Sequence, residues 1–383
     1  MPTAAEVMDD ATTQTGLTDF GDDSFREGLE ILLASLRDEA RLHERGRAFL
    51  SHRVVGYLSQ RLQVEDWYRR HPEIDDVPIT SPLIGLGLPR TGSTALSMLL
   101  AQDPGVRYLR RWESSQPCPP PSTVQGVDPR IPPDKGEMVG TRYHVPADTH
   151  GPMECHELMA LDFKSHLFQS FAEIPSYSEW LVDGADLTST YRYERRVMKL
   201  LQWGEPERPW RLKCPSHVLW LDALDAVFPD ARFVMTHRDP TDVILSAADL
   251  YADIIGSFST EIDRAYIGQL NINIGRWAWS GQCNSVPAAL RIGSTTLISA
   301  LCRPIRSGRS PACMRGWGCR SGPSSKVGCG VGGRRPRLSA SRAHMPIRCS
   351  SASTSTWCGP ASLAMWIARP AGPLTKSQEA RDN

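Results

Sequence analysis

Nowhere does the chain hold an apolar run approaching the roughly 20 residues that a bilayer requires, so no membrane-spanning helix is expected. Residues Met1–Asp10 are acidic and lack the basic-then-apolar order of a secretory leader, which points to a cytoplasmic protein with reduced cysteines. There is no carboxylate cluster and no paired Cys-x-x-Cys order, so no metal is expected either. Acidic residues are scarce in one part of the chain only. Residues 281–383 hold 2 Asp/Glu against 15 Lys/Arg, while residues 1–280 hold 41 against 28. The formal net charge of zero therefore divides into −13 and +13, and seven of the ten cysteines lie in the basic part.

With 383 residues, 40% of them hydrophobic, the chain can bury one large core. Residues 1–22 read as a flexible polar N-terminus. Ser24-Phe25-Arg26-Glu27 has the form of a capping box, and Leu29, Leu32, Leu33 and Leu36 follow at helical spacing. A second helical pattern runs through Leu50, Val54, Val55, Leu58 and Leu62, so residues 23–71 are expected to be a helical segment whose arginines form a solvated face. Strands are predicted at 106–109, 210–213 and 231–236. Helices are predicted over 154–171, 191–203, 217–227 and 240–251, with a proline-rich irregular loop over 115–135. Strands alternating with helices predict an α/β fold, a central parallel sheet flanked by helices, with the core over residues 80–280.

The most informative stretch is Leu83-Ile84-Gly85-Leu86-Gly87-Leu88-Pro89-Arg90-Thr91-Gly92-Ser93-Thr94. A short apolar run reads as a buried strand, a tight turn follows, and apolar spacing beyond Ser93 reads as a helix. Backbone N–H groups at a helix start lack partners within the helix and can hold a phosphate. Gly87 and Gly92 have the glycine spacing of a Walker A loop, but Ser93 stands where its lysine belongs. That counts against a P-loop kinase or NTPase, the competing enzyme class. The cation sits inside the loop instead, at Arg90.

Pro89-Arg90-Thr91-Gly92-Ser93-Thr94 resembles the 5′-phosphosulfate loop of sulfotransferases that use PAPS, 3′-phosphoadenosine 5′-phosphosulfate. Arg238, just past a strand, and Ser246, eight residues on, match the pair that binds the nucleotide's 3′-phosphate in that family. The order of loop and helix, Lys213-Cys214-Pro215-Ser216-His217, then a strand and Arg238, is similar to the broad bacterial sulfotransferases over roughly residues 23–280.

The resemblance implies a P-loop-like nucleotide-binding fold and PAPS as co-substrate, with no metal. It also implies transfer of a sulfuryl group to a hydroxyl or amine of a small-molecule, lipid or carbohydrate acceptor, without nucleic acid. Arg90 and Lys213 are implied to offset charge at the reacting centre. Two residues compete for the role of base. Glu113, in Arg111-Trp112-Glu113, resembles a catalytic glutamate, and His217 resembles the histidine of a Lys-Thr-His segment, two residues further from its lysine. His144, His150 and His156 read as structural or surface residues.

Residues 281–383 contain sixteen serines, twelve glycines and no clear period, so they read as a poorly folded tail. A basic nucleic-acid-binding tail is one explanation. An altered reading frame from about residues 280–290 is the preferred one. Reading the codons of Cys313-Met314-Arg315-Gly316-Trp317-Gly318-Cys319 one base earlier admits a Leu-Tyr-Ala-Trp-Leu-Gly-Leu string. The same offset over Ala352 to Trp357 admits Gly-Leu-Asp-Val-Asp-Met; both resemble C-terminal segments of the family. Without those segments the chain could be an inactive PAPS-binding pseudoenzyme.

Overall fold

A computed structural model describes residues 1–131, 150–284 and 364–367. These belong to one of two units into which the chain divides; the other unit, Gly293–Ser355, lies outside them.

The chain opens with three helices, α1 (Ala4–Thr15), α2 (Ser24–Asp38) and α3 (Glu44–Arg70). The first corrects the expectation of a loose N-terminus. Thr3 and Glu6 form a reciprocal capping box, and Val7 and Ala11, one turn apart, are buried as α1 packs on α3. The capping box expected at Ser24 does not form. The Ser24 hydroxyl donates to Asp162 Oδ1 at 2.5 Å, and α2 starts without a side-chain cap. Its Leu29, Leu32, Leu33 and Leu36 are buried as the spacing predicts.

Two arginines of α3 depart from the expected solvated face. Arg53 pairs with Glu157 at 2.8 Å, and Arg61 is fully buried beneath α2 and the 160s segment.

The sheet has strand order β2-β3-β1-β4-β5. Strands β1 (Leu83–Leu86), β2 (Arg107–Tyr108), β3 (Trp210–Lys213) and β4 (Arg232–His237) are parallel, with Gly85 paired to Lys213 on one side and Val234 on the other. All four residues of β1 are buried, as a central strand covered on both faces must be. Strand β5 (Ala364–Ile367) adds antiparallel to the outer edge of β4. The reading of residues 281–383 as a tail otherwise concerns positions outside the described residues, apart from the last turn of α11. The apolar Ala-Met-Trp-Ile stretch fits an edge whose N–H and C=O groups lack partners.

Between strands run α4 (Ser93–Leu100), α5 (Arg111–Ser115), α6 (His156–Met159), α7 (Pro175–Asp183), α8 (Leu187–Gln202), α9 (Leu221–Val227), α10 (Pro240–Gly256) and α11 (Arg264–Asn284). Two predicted helices are shorter than expected. Over 154–171 there is only α6 with two 3₁₀ turns, broken at Phe163, whose φ of 52° no helix accommodates. Over 217–227 a 3₁₀ turn, Pro215–Leu219, precedes α9. Helix α10 starts as expected, with Asp239 capping the Thr241 N–H and Pro240 in the first turn.

Candidate functional site

Ligands of parallel sheets gather beyond the carboxyl ends of the strands, and here β1, β3 and β4 all end beside the glycine-rich loop. The loop turns through three left-handed residues: Gly87 (φ 126°), Arg90 (φ 68°) and Gly92 (φ 94°). Gly87 passes so close to β4 that a Cβ there would lie 2.6 Å from the Thr236 carbonyl oxygen. Thr91 locks the turn, donating to the Leu88 carbonyl at 2.7 Å and sharing a 2.6 Å hydrogen bond with the Thr236 hydroxyl. Thr91 and Ser93 are buried, and Thr94 is exposed at the first turn of α4, where no side chain caps the N–H groups. A Gly87→Ala chain is expected to lose about 1–3 kcal/mol of stability, because neither the φ nor the backbone contact can relax. Urea unfolding would measure it, and an unchanged midpoint would remove this account of the loop.

The loop and the pair Arg238 and Ser246 meet. Arg90 Nε–H donates to Ser246 Oγ on α10 at 3.1 Å, across 156 positions of sequence. Arg238, at the end of β4, reaches the Arg90 carbonyl at 3.5 Å and pairs with Asp242 at 3.4 Å. The latter pair is exposed on both sides, so a ligand displaces it at little cost. Arg90, Arg238 and Ser246 thus present a guanidinium pair and a hydroxyl around the end of the loop.

The chain belongs to the sulfotransferase family. A family profile described as "Sulfotransferase family" matches residues 82–283, which include this loop, Arg238 and Ser246. The sulfotransferase STF9 from Mycobacterium avium is 30% identical, with a TM-score of 0.69 over 83% of this chain and 88% of that one. STF1 from Mycobacterium tuberculosis is 28% identical, with a TM-score of 0.65 over 78% of this chain and 88% of that one. Among curated proteins none matches. The expected fold, a parallel sheet with flanking helices and a helical N-terminal region, is therefore that of the bacterial sulfotransferases.

Of the remaining residues that sequence offered, Lys213 ends β3 with its side chain against Gly85, 4% exposed, and its ammonium hydrogen-bonds Glu154 Oε1. Glu113 is fully buried. Arg107 donates to both of its oxygens at 2.7 and 3.2 Å, Arg110 Nη1 adds a longer contact at 3.4 Å, and the Arg110 N–H closes the turn of α5 at 3.0 Å. His217 is also fully buried. Its Nδ1 meets the Tyr191 hydroxyl at 3.1 Å, and burial, with the nearby His156 charge, lowers its pKa to about 3.

Sequence reading missed Glu154 and its neighbours. The segment from Pro152 to Cys155 is pinned along the strand ends: Met153 N–H donates to Leu109 O at 2.8 Å and Cys155 N–H to Lys213 O at 3.3 Å. This sets Glu154 beside Lys213, with 30% of its side chain exposed. Burial alone would raise its pKa, but the Lys213 ammonium and His156 outweigh that and hold it well below the usual carboxylate range. His156, read as scattered, links Glu154 Oε2 at 3.2 Å to Ser216 Oγ at 2.5 Å, and Ser216 meets His166 Nδ1 at 3.2 Å. The only available signal was a Glu and a His just before an apolar run. Lys213 is 59 positions from Glu154, and Ser216 is 60 from His156.

Proposed function

We propose that this sulfotransferase moves a sulfuryl group from PAPS to a hydroxyl or amine of a small-molecule, lipid or carbohydrate acceptor. The convergence of Arg90, Ser246 and Arg238 carries the reading, because it joins a loop suited to one phosphate with an arginine and serine suited to another. The donor set fits PAPS. N–H groups from Thr91 to Thr94 with the Ser93 and Thr94 hydroxyls suit the 5′-phosphosulfate, and the Arg238 fork with Ser246 suits the 3′-phosphate.

When bound, PAPS supplies a sulfuryl group with an adenosine bisphosphate leaving group, and in-line transfer leaves the protein mainly to position groups and offset charge. Arg90, in the loop, offsets the charge that grows on the bridging oxygen. Lys213 assists it. We assign the acceptor's proton to Glu154 in preference to Glu113 or His217. Glu113 has both oxygens engaged by arginines, and His217 is sealed from solvent, whereas Glu154 is ionised, partly exposed and beside Lys213. As the Lys213 ammonium turns toward the leaving oxygen, Glu154 keeps His156 at Oε2 but loses its other partner and gains basicity. Glu113 then serves to hold the turn after β2, and His217 to hold the turn after β3.

Isothermal titration with adenosine 3′,5′-bisphosphate tests the reading. Arg238→Ala is expected to weaken binding by about tenfold to a hundredfold, the worth of a charge-assisted hydrogen bond. A folded wild-type chain that ignores the bisphosphate would overturn the PAPS assignment. Binding without turnover of PAPS would favour the pseudoenzyme.

A further inference from the structure

Beneath the strand ends, and apart from the loop, three side chains of metal-binding type meet in the core. The Cys155 thiol, a Glu194 carboxylate oxygen and a His217 imidazole nitrogen lie within 4.8 Å of one another, and all three residues are fully buried. Separate elements bring them there. Cys155 is held at the start of α6 by its N–H bond to Lys213 O, Glu194 projects from the middle of α8, and His217 sits in the 3₁₀ turn after β3.

The hydrogen bonding of this cluster is unfinished. Neither oxygen of Glu194 has a hydrogen bond of ordinary geometry, and His217 Nε2 has none. Leaving such groups unmet in a sealed interior costs about 1–3 kcal/mol each, and more for a charge. His217 nevertheless has its other nitrogen occupied by the Tyr191 hydroxyl at 3.1 Å. With the hydroxyl accepting from Nδ1–H, this contact is the outer partnership of a ligating histidine, which leaves Nε2 to present its lone pair.

We propose that Cys155, Glu194 and His217 bind a divalent cation of borderline softness, zinc foremost, at a buried site that ties three segments of the core together. Thiolate, carboxylate and imidazole are all zinc ligands, and one thiolate with one carboxylate neutralises a double charge, as a fully buried site requires. Binding displaces the thiol proton, and the carboxyl proton where one is present, to solvent; no redox step occurs. The ion would tie α6, α8 and the turn after β3 together, holding the backbone from which Glu154 and Lys213 project. With no exposed ligand, it enters as the chain folds and leaves only as it unfolds.

The test uses the full chain expressed with zinc in the medium. Metal analysis should find about one zinc per chain, and Cys155→Ser and Glu194→Gln, which keep the seven cysteines of residues 281–383, should each lower affinity by at least about 10–100-fold with unchanged circular dichroism. A folded wild-type chain free of metal, or an ion retained at full affinity by both variants, would overturn the site. Should neither variant fold, the wild type decides alone: a coloured chelator should receive zinc only as urea unfolds the chain. Immediate release from the folded protein would mean that the ion is held outside the cluster and would sink the proposal.

Discussion

Replacing Arg90 by glycine is expected to cut the turnover of PAPS by about a hundredfold to a thousandfold, the scale seen when one preorganised donor to a developing charge is lost. Glycine is the informative substitution because Arg90 holds φ at 68°, where an alanine would add strain of its own. The loop should therefore keep its shape and lose the guanidinium, with its bond to Ser246. Arg90→Lys should recover part of the rate but not all, since an ammonium cannot reproduce the planar fork. Release of adenosine 3′,5′-bisphosphate, followed with a panel of phenol, sugar and amine acceptors, measures the effect. An Arg90→Gly chain with more than about a tenth of wild-type turnover would show that charge at the leaving group is met elsewhere, with Lys213 the next residue to test.

The second large effect lies far from the loop. Arg61→Met should lower stability by about 3–5 kcal/mol, the cost of breaking a buried ion pair from one side. Its guanidinium donates to the carbonyls of Phe20, Leu161 and Asp22 at 2.7, 3.1 and 3.0 Å. It also faces Asp162 at 3.5 Å and lies 4.1 Å from the Tyr193 ring centre. Methionine fills much of the volume but leaves three carbonyls unmet. Asp162 would keep Lys164, Ser189, Thr190 and Ser24 as partners, so the loss falls mainly on the chain from Phe20 to Asp22 and its link to α3. Such a loss is a large part of a domain's usual margin of roughly 5–15 kcal/mol. Urea unfolding followed by circular dichroism gives the number. A change below about 1 kcal/mol would mean that water replaces the guanidinium and that the cluster does not anchor the N-terminal helices.

How much of this was legible beforehand depended on the range of the interaction involved. Strand β1, the loop after it and the start of α10 are set by neighbours within a few positions: buried apolar residues, glycines where φ is positive, and Asp239-Pro240 at a helix start. Local chemistry of that kind is written in the order of residues, and so was the resemblance that named Arg90, Arg238 and Ser246. The parallel sheet was legible for the same reason, through strands alternating with helical spacing. The helix α1 was also local, in Thr3 and Glu6, and was missed because polar composition was weighed above the cap.

Long-range polar partnerships were decided only by the tertiary structure. Nothing near Arg61 in sequence marks it as buried, because its partners come from Phe20, Asp22, Leu161 and Asp162. Glu113 and His217 read as competing candidates for a base, Glu113 slightly ahead, until their burial and partners were known. Glu154 drew no notice until β3 set Lys213 beside it. By itself the sequence determined the fold class and the glycine-rich loop, and it singled out Arg238 and Ser246. Which titratable groups face solvent, which are sealed among partners, and which three meet at Cys155, Glu194 and His217 was settled by packing between segments distant in the chain, because burial and pairing depend on neighbours that no local pattern encodes.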